Sequence, residues 1–145
     1  MGQKIPGPKW DMAQKIPGPK WDKSEKRRKN MDENCLFCKI IKGEIPSSKV
    51  YEDEEILAFN DINPAAPIHV LVIPKEHVEN VLEINEGNNE MISDIFLAIN
   101  KIAKQLGIEK DGFRIINNCG KDAGQEVMHL HFHMLAGGKL GPKII

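Results

Sequence analysis

The chain has 145 residues and a mass of 16.3 kDa, with 41% hydrophobic and 28% charged residues, which suits one ordinary globular domain and excludes multidomain machinery and wholesale disorder. No apolar run approaches the roughly 20 residues of a membrane-spanning helix, and no secretory apolar stretch opens the chain, so a soluble cytoplasmic protein with no membrane partner is expected. The formal charge of −1 hides two opposed parts: residues 1–30 hold nine Lys/Arg against three Asp/Glu, a net +6, and residues 31–145 hold eleven against eighteen, a net −7.

Within the basic part, residues 3–11 and 14–22 are the same nine residues, QKIPGPKWD, at a period of 11. Two prolines and a glycine per unit, without apolar periodicity, cannot build a core, so residues 1–30 read as an expression-derived or disordered leader and Met31 as the natural start of a domain over 31–145. The run KSEKRRK offers an alternative reading as a nucleic-acid arm. It lacks interleaved aromatics and precedes an acidic domain, so no nucleic-acid partner is expected.

Residues 35–42 read as a short helix ended by Gly43 and Pro46, and residues 50–51 and 56–59 as a hairpin around the acidic turn EDEE. Residues 60–67 form a loop that delivers a β-branched strand over 69–73, closed by Pro74. A short helix over about 75–82 and a loop at 85–90 come next. The clearest periodic segment is 91–106, where Ile92, Ile95, Phe96, Ile99, Ile102, Ala103 and Leu106 keep helical spacing and Gly107 stands at the C-cap position. Residues 113–117 and 128–136 read as strands separated by a loop over 118–125 that carries Gly120 and Gly124. About five strands joined by short turns, with one long helix inserted late, indicate an α+β domain on an antiparallel sheet.

Three of five histidines fall within five residues, His129, His131 and His133, separated by apolar Leu130 and Phe132 and followed by Met134. Strand alternation puts the imidazoles on one face and the apolar residues on the other. His69 opens another strand and can lie beside this row, whereas His77 falls on the polar short helix and is given no role. An imidazole titrates near neutrality, which leaves nucleophile, general base and metal ligand open. The loop from Gly120 to Gln125 offers backbone N–H groups to an anion such as phosphate, with Asn117 nearby. Cys35 and Cys38 are spaced C-x-x-C, and with Cys119 they make an odd set that suits a reducing compartment and a metal better than a disulfide framework.

The run HLHFHML at 129–135 resembles the H-x-H-x-H-x-x signature of the histidine-triad superfamily, and residues 35–142 resemble its Hint branch through CLFCKIIKGEIPS, ILAFNDINP, APIHVLVIPKEH and GQEVMHLHFHMLAGG followed by LGP. The LAGG tail is similar to Hint proteins, not to the branch that cleaves dinucleoside polyphosphates. The resemblance implies a histidine-triad domain, a homodimer sharing a continuous sheet, and hydrolysis of purine nucleoside phosphoramidates or related adenylates at the α-phosphorus, with no cofactor needed for catalysis. It assigns His131 as the nucleophile that becomes nucleotidylated, His133 as a contact to phosphate or leaving group, and His129 and His69 as supports. It further implies Asn117, Gln125 and the backbone at Glu126 and Val127 as holders of phosphate oxygens, Asp61 as acceptor of the ribose hydroxyls, and Phe37, Ile40, Ile45, Phe59 and Ile62 as the base pocket. Asp61 also suits a turn and the five apolar residues also suit a core. The loop before His129 is one residue longer than in some relatives, which leaves a shift of one position open for the phosphate contacts, and Glu126 stands where some relatives have serine.

Some bacterial triad proteins resembling this one hold structural zinc, which maps to Cys35, Cys38, His69 and His129; free thiols and a redox pair are the other readings of the cysteines. The competing functions are a dinucleoside polyphosphate hydrolase or nucleotidyl transferase of the same superfamily, and a non-catalytic nucleotide-binding or interaction module. A zinc hydrolase is disfavoured, since no HExxH-like pair is present.

Overall fold

The computed structural model describes residues 31–141. The expectations for residues 1–30 lie outside the described residues. Helix α1 (Leu36–Ile41) is followed by β1 (Lys49–Glu52), β2 (Ile56–Asn60), β3 (Ile68–Pro74), the long helix α2 (Glu90–Leu106), β4 (Arg114–Ile116) and β5 (Phe132–Ala136). The acidic turn of the first hairpin is closed by Asp53, whose carboxylate accepts the N–H groups of Glu55 and Ile56, both at 2.8 Å. Helix α2 stops at Gly107, whose φ of 71° caps the last turn in the left-handed region.

All strand pairs are antiparallel and the sheet runs β1-β2-β3-β5-β4. Alternation divides its residues between two layers. On one face Ile56, Ala58, Val70, Val72, Phe132 and Met134 meet Met91, Ile95, Ile99 and Ile102 of α2; on the other, Leu57, Phe59, Leu71 and Ile73 meet Phe37, Cys38 and Ile40 of α1. Phe96, read as part of the buried stripe, instead sits at its border, 45% exposed with its ring edge-on to Phe132.

Two elements depart from expectation. No helix forms over 75–80, because the backbone there bonds across the chain: Lys75 N–H to the Glu55 carbonyl at 2.8 Å and Leu130 N–H to the Val78 carbonyl at 2.8 Å. A 3₁₀ turn at Val81–Glu83 is all that remains, started by the Asn80 side chain accepting Leu82 N–H. The expected strand over 128–136 begins only at Phe132, so His129 and His131 precede it on irregular backbone. Alternation nevertheless persists, since Leu130, Phe132 and Met134 all enter the α2 layer. Among the described residues no helix is long and apolar enough to cross a membrane.

Candidate active site and metal centre

Three hydrogen bonds to groups that can play only one role assign the imidazole tautomers. The His129 carbonyl lies 2.7 Å from His131 Nδ1, so Nδ1 carries the proton and Nε2 keeps its lone pair. The Ala65 N–H donates to His69 Nδ1 at 2.9 Å, so His69 carries its proton on Nε2 and donates it to His133 Nδ1 at 2.9 Å. His133 is thereby left with an Nε2–H donor. The Pro74 carbonyl, 2.9 Å from His129 Nε2, takes that N–H and leaves the His129 Nδ1 lone pair free. Burial is the largest cause holding these imidazoles below their ordinary value, to about 4 for His129 and His133 and downward for His131 and His69. All four are neutral at pH 7.

His131 and His133 line a cleft of about 510 Å³ whose walls include all five apolar residues expected at the base pocket, Phe37, Ile40, Ile45, Phe59 and Ile62, together with Asp61, Glu126 and Val127. Phe37 places its ring edge-on to His131 at 5.2 Å and to Phe59 at 5.5 Å, joining the apolar end to the triad. Ile62 is 90% exposed and forms the rim. Asp61 serves its turn through one oxygen, accepting Asn63 N–H at 2.8 Å, while the other lies 3.4 Å from His69 Nε2.

Asn117 and Gln125 do not line the cleft. The Asn117 amide donates to the His131 carbonyl at 2.9 Å, and the neighbouring Asn118 lines the cleft instead, a shift of one position. The Gln125 amide is fully engaged: its oxygen accepts Gly120 N–H at 2.8 Å and its nitrogen donates to the carbonyls of Glu79 and Val127 at 2.8 and 3.0 Å. Gly120, Gly124 and Gln125 also spend their backbone N–H groups inside the loop, so they are no anion cradle. The amides of Glu126 and Val127 make no hydrogen bond with another described residue and remain for an anion.

A second cluster joins Cys35, Cys38, His77 and His129, with one donor atom from each within 4.8 Å of the others. This corrects the expected ligand set: His69 belongs with Asp61 and His133, and His77, given no role from sequence, takes its place. Antiparallel register is the reason. Ile68 pairs with Ala136 and Val72 with Phe132, so His69 lies beside the end of the triad and the residues after Pro74 lie beside its beginning. No local pattern in the sequence carries that register; it comes from the pairing of β3 with β5.

Two sulfurs and two imidazole nitrogens are a borderline-soft donor set. The Cys35 Sγ to His129 Nδ1 distance is 3.4 Å, Cys38 Sγ lies 3.4 Å from His77 Nδ1 and 3.6 Å from His129 Nδ1, and the two Nδ1 atoms are 3.1 Å apart. Ideal tetrahedral zinc sets S···N edges of about 3.5 Å and N···N edges of about 3.3 Å. The residues present fit such an ion. Burial, the largest cause, pushes the Cys38 thiol up to about 12, opposite to the stabilised thiolate of a redox C-x-x-C pair.

A neutral imidazole that keeps its Nε2 lone pair on a cleft wall, an N–H donor on the next histidine of the row and apolar residues lining the same cleft define a histidine-triad domain. The chain belongs to the HIT family, whose domain model matches residues 42–140. It is 47% identical over 117 residues to an uncharacterised 13.2 kDa HIT-like protein of Azospirillum brasilense, covering 80% of this chain and 96% of the relative. It is 42% identical over 114 residues to the purine nucleoside phosphoramidase of Escherichia coli strain K12, covering 79% and 96%. Among solved structures, a HIT family hydrolase from Clostridium thermocellum matches with a TM-score of 0.77 at 60% identity, covering 79% of this chain and 99% of that one.

Proposed function

We propose that the chain hydrolyses purine nucleoside phosphoramidates or related adenylates at the α-phosphorus through a nucleotidyl-histidine on His131. The observation that carries this reading is the 2.7 Å bond from His131 Nδ1–H to the His129 carbonyl, which leaves a neutral Nε2 nucleophile on the cleft wall. Nε2 bonds to phosphorus as the bond to the leaving group breaks with its electron pair, and the leaving group takes up a proton. The positive charge this places on the ring is met by the same carbonyl. His133 Nε2–H donates to a phosphoryl oxygen or the leaving group, and the free amides of Glu126 and Val127 hold the remaining oxygens. Water then attacks phosphorus, the bond to Nε2 breaks with its electron pair returning to the ring, the proton that water sheds to solvent balances the one the leaving group took from solvent, and nucleoside monophosphate leaves with neutral His131 restored; one hard displacement becomes two easier ones. Asp61 accepts the ribose hydroxyls and the apolar end takes the base. The name of the Escherichia coli relative supports the substrate class.

Cys35, Cys38, His77 and His129 would hold a zinc ion, which would cross-link the start of α1, the segment after β3 and the triad and leave His131 and His133 free for the displacement. A cytoplasmic setting keeps the two cysteines reduced. A homodimer continuing the sheet through β4 is supported by that edge strand and by Ile115 on it at 37% exposure; light scattering on the purified chain tests it.

The decisive experiment measures turnover of an adenosine phosphoramidate by the wild type and by His131→Ala, with intact-mass detection of an AMP adduct. Turnover and adduct in the wild type alone support the reading. Undiminished turnover in the variant removes His131 as nucleophile.

A further inference from the structure

The sheet order arranges the cleft wall in sequence: Phe59 and Asp61 at the β2 side, Leu71 on β3, His131 and His133 at β5, and Asn118, Gly124 and Glu126 from the loop beyond β4. With the nucleoside in the apolar end, the group expelled from phosphorus points to the far end, where Glu126 stands. The Gln125 side-chain amide donates to the carbonyl of Val127, the residue after Glu126, and to that of Glu79, which fixes this stretch of backbone. The Glu126 side chain is exposed and makes no hydrogen bond or ion pair with another described residue. Among the described residues that line the cleft, two are carboxylates, Asp61 and Glu126, and none is lysine or arginine. A cleft with that lining tolerates the single charge of one phosphate held by backbone amides, and it disfavours each further anion.

Resting on the phosphoramidate reading above, we infer that Glu126 selects substrates whose leaving group carries its own ammonium, and that the cleft discriminates against leaving groups bearing carboxylate or additional phosphate. The carboxylate reads charge beyond the scissile bond and stays clear of the phosphate itself, where it would repel. One feature agrees with this placement: among the described residues Glu126 has no cation of its own to satisfy it.

Three adenosine phosphoramidates of matched length, whose leaving amines end in an ammonium, a hydroxyl or a carboxylate, test this directly. An exposed ion pair is worth about 0.4–1 kcal/mol at the upper part of its usual range, so the wild type is expected to favour the ammonium over the hydroxyl substrate in kcat/KM by about two- to five-fold, with the carboxylate lowest. The preference should shrink in high salt. Glu126→Gln brings the ammonium-to-hydroxyl ratio to about one, and Glu126→Lys reverses it. Equal kcat/KM for the three substrates in the wild type, or an unchanged ratio in Glu126→Lys, overturns the charge selection while leaving the hydrolase reading intact. Turnover of none of the three removes the hydrolase reading and this inference with it.

Discussion

The ring of His131 is held by the main chain of His129, Nδ1–H to carbonyl at 2.7 Å, while the ring of His129 turns its own Nδ1 toward Cys35 at 3.4 Å. One residue therefore serves two centres, with its carbonyl setting the tautomer of the nucleophile and its ring belonging to the sulfur and nitrogen cluster. Metal binding to such a cluster is folding free energy. Removing the ion with a chelator is expected to lower the thermal midpoint and, through the backbone at residue 129, to lower turnover; zinc restores both. A midpoint and a rate indifferent to chelation in a protein shown to contain zinc would separate the two centres.

The corrected ligand set makes a paired prediction. His77→Ala is expected to lose bound zinc, measured by elemental analysis, and to destabilise the fold. His69→Ala is expected to retain zinc but lose turnover, because His133 Nδ1 loses the N–H that orients it. Zinc retained in His77→Ala and lost in His69→Ala would restore the original assignment.

The pH dependence follows from neutral, depressed histidines. With His133 held to about 4 and His131 also below its ordinary value, both by burial first, the acid limb of kcat/KM should have its midpoint below about 6.5. Stability has the same sign. The unfolded chain takes up imidazole protons near pH 6.5 before the folded chain does, so stability falls as pH falls from there toward 4. An acid limb in the rate at pH 7 or above would contradict the burial of these groups.

Gln125 spends its side-chain amide on the backbone of Gly120, Glu79 and Val127. Gln125→Leu strands the Gly120 N–H and two carbonyl bonds, so it should cost about 1–3 kcal/mol in denaturant unfolding and raise KM as the Glu126 and Val127 amides lose their position. Lost stability with an unchanged KM would show that the loop amides hold their place without it.

Gly137 follows β5 at a φ of +96°, and a Cβ there would lie 2.8 Å from Pro67 Cβ and 3.3 Å from the backbone nitrogen of Ile68. Gly137→Ala combines left-handed strain with a clash against the segment entering β3, and about 1–3 kcal/mol of destabilisation is expected from the denaturant midpoint. A neutral result would mean that the segment at Pro67 yields easily.

Local patterns in the sequence were enough for the elements whose boundaries are local. The spacing from Met91 to Leu106 with Gly107 behind it specified α2, and strand alternation sent Leu130, Phe132 and Met134 to the core even where the strand itself starts late. The triad and the C-x-x-C pair were legible because each carries its chemistry in a short run, whereas the apolar cleft residues, spread from Phe37 to Ile62, came only through the resemblance to the triad family. Segment 75–80 was misread as helix because its competing hydrogen bonds come from Glu55 and Leu130, far away in the chain.

What only the tertiary structure decided is which histidine belongs to which centre. His69 lies near the start of β3 and His77 just beyond its end, and neither composition nor spacing distinguishes them. The antiparallel pairing of β3 with β5 sends one to His133 and the other to His129. Likewise Asn117 and Asn118 are identical side chains in adjacent positions, and only the loop's path turns one to the His131 carbonyl and the other to the cleft. The sequence by itself determined the inventory of reactive groups and the faces they occupy, since periodicity is a property of the local backbone. Their partners were decided by contacts between residues distant in the chain, which only the packed sheet establishes.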